Sequence, residues 1–94
     1  MKKTALELEI IAKAQAKIDF MSGCIMRIMH NEELSRGSKN SIIWDYYCEA
    51  EEYINGMAET YWIMASNDNT FNWEVYKKLK GYSLLMVTAR CSNR

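Results

Sequence analysis

Four carboxylates on one predicted helix are the residues of this 94-residue sequence best placed for chemistry. Asp45, Glu52 and Glu59 recur every seven residues and Glu49 lies beside them. That spacing lines them along one side of a helix, with successive members of the seven-residue row roughly 10 Å apart. No Lys or Arg occurs between residues 40 and 76, so none of the four has a cationic i,i+4 neighbour within the helix. Such a row opposes folding by self-repulsion, and contact with a basic surface offsets that repulsion. The competing reading is an ordinary solvated face. Aromatic side chains flank or follow the row, among them Trp44, Tyr46, Tyr53 and Trp62. Aromatics are enriched at binding hot spots, and they are equally core or self-association material.

A second candidate site is basic. Lys77, Lys78, Lys80 and Arg90 fall in the last eighteen residues, with Tyr76 and Tyr82 among them. Cations with interleaved aromatics bind phosphates and stack bases. The acidic stretch before them repels a duplex, so direct nucleic-acid binding is not expected. A small anion such as a nucleotide fits better.

Other chemistry finds little support. His30 is the only histidine, near a predicted helix end where an imidazolium favours the dipole. Glu49 and Glu52 are three apart, but the Glu-x-x-His pairs of helical di-metal sites are missing, so no metal is expected. Cys24, Cys48 and Cys91 form no CxxC and read as reduced thiols in a cytoplasm. There is no glycine-rich phosphate loop and no nucleophile motif, so neither an enzyme nor a cofactor is expected.

The elements that position these residues are helices. There is no proline, there are only four glycines, and 49% of residues are hydrophobic. Together these favour long uninterrupted helices in one domain spanning residues 1–94. Charge is uneven: residues 1–39 carry a net +2, residues 40–76 a net −7 and residues 77–94 a net +5. The first helix is predicted over 4–34, opening on the capping box Thr4-x-x-Glu7. Its apolar seam is Ile11, Ala14, Ile18, Met21, Ile25 and Ile28. Ser35 to Asn40, polar and holding Gly37, reads as a loop. The second helix is predicted over 41–66, with the seam Ile43, Tyr47, Ala50, Ile54, Met57, Tyr61 and Met64. A third, over 71–90, presents Val75, Leu79, Tyr82, Met86 and Ala89.

Both long seams step by three and four, the spacing of helices packed on helices. Folding back at Gly37 pairs residues whose numbers add to 75, as in Ile25–Ala50, Ile18–Met57 and Ala14–Tyr61. The expected fold is all-α, an antiparallel hairpin of two long helices plus a third C-terminal helix, a three-helix bundle. Phe20, Met26 and Met29 lie off the first seam and point to a second buried face.

These readings converge on a non-enzymatic helical binding protein. The expected role is an inhibitor or antagonist, comparable in size and charge to immunity and anti-restriction proteins. It covers a basic, nucleic-acid-binding site on a partner protein through Asp45, Glu49, Glu52 and Glu59, with Trp44 and Trp62 as anchors. The alternatives are an oligomer that captures a small anion through Lys77, Lys78, Lys80 and Arg90, or a purely structural assembly subunit. A homodimer, a cytoplasmic location and no membrane association are expected. Glu7 and Glu9 interrupt the apolar run that a signal peptide would need after Met1-Lys2-Lys3, and Leu84 to Val87 is far too short to span a bilayer.

Overall fold

Thr4 opens the first helix as its spacing predicts. Its hydroxyl accepts the Glu7 N–H at 3.1 Å, and the Glu7 carboxylate accepts the Thr4 N–H at 2.8 Å. The two orphaned amides are satisfied reciprocally. From there the computed structural model, which describes residues 4–92, forms three helices. They are α1 (Ala5–Met29), α2 (Arg36–Asn67) and α3 (Trp73–Ser92). No strand occurs among the described residues, so the protein is an all-α three-helix bundle. Met1-Lys2-Lys3 and Arg94 lie outside the described residues.

The first connection corrects the predicted boundaries. α1 ends at Met29 rather than near Leu34, and α2 begins at Arg36 rather than Ser41. The physical reason is a cap. The Ser35 hydroxyl accepts the Ser38 N–H at 3.2 Å, satisfying a first-turn amide and starting the helix inside the polar run that looked like a loop. Gly37 therefore sits within a helix. The turn moves to residues 30–35, where Asn31 Oδ1 accepts the Glu33 N–H. Lys39 reaches back to donate to the Met29 carbonyl at 3.0 Å, putting a cation at the negative end of α1.

Moving the turn moves the register. Tyr61 bonds to Glu7 and Lys39 to Met29, pairs whose numbers add to 68 rather than 75. The seams thus slide by about one heptad, which preserves their antiparallel matching. The seam residues still form the core. Ala14, Met21, Ile25, Ile43, Ala50, Ile54 and Tyr61 are buried. Met64 is an exception, more than half exposed at the open end of α2.

α2 ends in a Schellman motif. Asn69 takes a left-handed conformation (φ 58°), the Thr70 N–H bonds to the Ala65 carbonyl at 2.8 Å, and the Asn69 N–H bonds to Ser66. Asn72 then caps α3 by accepting the Glu74 N–H at 3.1 Å. Val75, Leu79 and Met86 of α3 are buried, as their spacing predicts, and α3 packs more extensively on α2 than α1 does. The bundle is elongated, 52 by 20 by 16 Å. Phe20, Met26 and Met29 are mostly exposed, so the second face of α1 is not buried within the chain.

Candidate functional site

With its seam turned inward, α2 presents a solvent-facing ridge of Asp45, Glu49, Glu52, Gly56, Glu59 and Ile63. Every one of these residues is exposed. Their steps of four and three keep them on one narrow stripe, and 18 residues at 1.5 Å each make it about 27 Å long. Four of the six positions are carboxylates, all four of those expected from the sequence.

Neighbouring helices neutralise two of the four. Lys17 of α1 donates to Glu49 at 2.7 Å, and Lys80 of α3 reaches Glu59 at 3.3 Å and Asn55 at 3.2 Å. Both carboxylates remain largely exposed, where an ion pair contributes only about 0–1 kcal/mol. Asp45 and Glu52 have no cationic partner among the described residues.

The tryptophans lie off the ridge itself. Trp44 is seven residues before Glu51, and Arg90 of α3 holds both, its guanidinium 5.0 Å from the indole centroid of Trp44 and paired with the Glu51 carboxylate. Trp62 is seven residues after Asn55, again on the flank that receives α3, yet it is about half exposed. Sequence spacing placed both beside the acidic row; Trp44 does border Asp45, but its indole is also held by Arg90 of α3.

The basic set does not converge. Lys77 and Lys78 are exposed on the outer face of α3, whereas Lys80 and Arg90 face α2 and are paired with Glu59 and Glu51. Thirteen residues of helix, about 20 Å, separate Lys77 from Arg90. Arg90 also donates to Cys48 Sγ at 3.3 Å, and this bond, with Glu51, raises its pKa. All three cysteines are free thiols: Cys24 is buried beside Arg27, Cys48 half-buried and Cys91 exposed. His30 caps the C-terminus of α1 and is exposed.

The sequence reading missed two features. One is a buried polar hub joining all three helices. The Tyr61 hydroxyl donates to the Glu7 carboxylate and accepts the Asn72 N–H at 2.8 Å. Burial, reinforced by the bond to Glu7, raises the Tyr61 pKa above its usual value. Glu7 was legible as a capping residue but not as a buried one.

The other is a groove of about 500 Å³ between α1 and α2, on the side away from α3. Leu6, Ile10, Tyr53, Met57, Thr60 and Met64 line it, with Glu7 and Tyr61 beneath. Its sequence signal was present: Leu6, Ile10, Lys13, Lys17 and Phe20 step by four and three, a second stripe beside the first seam of α1. Gly56 belongs to both the groove wall and the ridge, and a Cβ there meets no atom within 4 Å.

Compared with known proteins, the chain matches no family model, no curated protein and no solved structure. Among the described residues no three His, Cys, Asp or Glu side chains gather at a metal-binding distance, and no helix is long and apolar enough to cross a membrane.

Proposed function

We propose that the protein is a non-enzymatic binding protein that covers a basic, nucleic-acid-binding surface of a partner protein with the ridge of α2, and so antagonises that partner. The observation that carries this reading is the pair Asp45 and Glu52, exposed on the ridge with no cation from either neighbouring helix. The bundle neutralises Glu49 and Glu59 and leaves these two. The ion pairs at Glu49 and Glu59 are exposed and weak, so arginines of a partner can displace Lys17 and Lys80 at little cost. Trp62 and Ile63 add exposed apolar surface at the C-terminal end of the ridge. Capture of a small anion by the basic segment has less support, because Lys80 and Arg90 already hold carboxylates of α2.

The test compares the wild-type chain with the triple variant D45K/E52K/E59K as bait in host lysate, with bound proteins identified by mass spectrometry. A nucleic-acid-binding protein retained by the wild type and lost by the variant, at unchanged helical circular dichroism, is the expected result. Retention should also weaken between about 0.1 and 1 M salt, as the screening length shortens from about 10 to 3 Å. Equal capture by both chains would overturn the reading.

A further inference from the structure

The groove between α1 and α2 adjoins the ridge, with Gly56 belonging to both. On α2, Tyr53, Thr60 and Met64 form its wall, while Glu52 and Glu59 lie one helical step away on the ridge. The wall from Tyr53 to Met64 runs about 16 Å, three turns of a helix. Beyond Tyr53 the Lys17–Glu49 bridge crosses from α1 to α2, with the Lys17 ammonium 5.5 Å from the Tyr53 ring centroid and 6.0 Å from that of Phe20. Leu6, Tyr53 and Met64 each keep roughly half their surface open to solvent, so the groove lacks an occupant among the described residues.

Charge identifies what fits. Among the described residues the one cation lining the groove is Lys13, on the α1 wall, and it makes one exposed contact with Glu9 at 3.5 Å. The opposite edge is acidic through Glu52 and Glu59, and Asp68 lies at the far end. An occupant with an apolar stripe and a cationic flank meets apolar walls below and carboxylates beside it. Its cations must point toward α2, away from Lys13. An anionic occupant would face the ridge directly. Gly56 leaves open space in the wall where a backbone can approach closely.

From this juxtaposition we infer that the groove seats a basic amphipathic helix of the partner, with its apolar stripe between α1 and α2 and its cationic edge along the ridge. Laying an apolar helical stripe in a groove is a common mode of peptide recognition. The inference rests on the ridge reading above and names the chemistry of the partner segment.

The probe is a fluorescein-labelled, fourteen-residue Leu/Lys peptide of helical periodicity, titrated with the full chain by fluorescence anisotropy. Controls are a scrambled peptide of the same composition and a Leu/Glu peptide of the same pattern. Saturable binding of the Leu/Lys helix, at least tenfold tighter than either control, is expected. Gly56→Trp fills the groove and should weaken that binding at least tenfold. Thr60→Lys, exposed on the wall, should do the same and covers the case in which the tryptophan variant does not fold. Lys13→Glu should strengthen binding, and D45K/E52K should weaken it.

Wild-type affinity in both Gly56→Trp and Thr60→Lys would overturn the groove inference while leaving the ridge reading intact. Loss of binding in Gly56→Trp with no change in D45K/E52K would instead remove the ridge from the interaction. Sedimentation showing a dimer of the chain that Gly56→Trp dissociates would assign the groove to a second copy and overturn the inference.

Discussion

Tyr61 carries more of the structure than its place in an apolar seam implied. Its hydroxyl is the only described side chain bonded both to Glu7 of α1 and to the residue capping α3. Tyr61→Phe removes the hydroxyl and leaves the buried Asn72 amide without its acceptor, a cost of about 1–3 kcal/mol. For a domain of this size each kcal/mol lowers Tm by about 4–8 °C, so calorimetry should register a clear fall. The same residue sets an alkaline limit. Because the folded phenol holds its proton more tightly than the unfolded one, its contribution is complete below about pH 10, the unfolded value, and is lost as pH rises through the folded value. Urea titrations should therefore give a stability that falls above pH 10, and a smaller fall in Tyr61→Phe. At Asn69 the left-handed backbone governs the outcome. Asn69→Gly should be neutral to stabilising, whereas Asn69→Val should destabilise by about 1–2 kcal/mol in denaturant unfolding.

At the scale of the elements, capping outweighed composition. The polar, glycine-containing run from Ser35 to Asn40 has the make-up of a loop, yet one hydroxyl at its first residue places most of it inside α2. Ser35→Ala should cost about 0.5–2 kcal/mol by denaturant unfolding, because the cap both starts the helix and sets its register against α1. Glycine in the exposed middle of a helix is disfavoured for want of a side chain, and neither Gly56 nor Gly81 has a neighbour that a methyl group would strike. Each Gly→Ala change should raise stability by about 0.5–1 kcal/mol in the same measurement. Little in the charge of α2 suits its own dipole: its first turn holds no acid and its last no base. Its 32 residues are held instead by apolar burial on two sides, against α1 and α3.

For the molecule as a whole, the zero net charge is built from segments of opposite sign that meet in space. Lys17, Lys80 and Arg90 bring the outer helices to the carboxylates of α2. Because Asp45 and Glu52 stand outside this pairing, the double reversal D45K/E52K should relieve repulsion along the ridge. Its Tm should equal or slightly exceed that of the wild type in low salt, with the difference shrinking in high salt. A lower Tm would mean that those carboxylates hold the fold rather than a partner. Twelve large apolar side chains remain exposed among the described residues, more than solvent alone favours, and several border the groove.

The sequence alone determined the helices, their inward faces and the acidic row, because each rests on a local period that a helix turns directly into a face. The capping box at Thr4 and the seam of α3 were legible for the same reason. The tertiary structure decided what periodicity leaves open. Two heptad registers match the seams equally well, and only the position of the turn separates them. Whether Glu49, Glu59 and Trp44 were available depended on which flanks of α2 received α1 and α3, since side chains distant in sequence reach them: Lys17 of α1 pairs with Glu49, while Lys80 and Arg90 of α3 meet Glu59 and Trp44. The groove belongs to neither helix by itself. It exists because two stripes, each readable alone, were brought side by side at that register and left uncovered by the third helix.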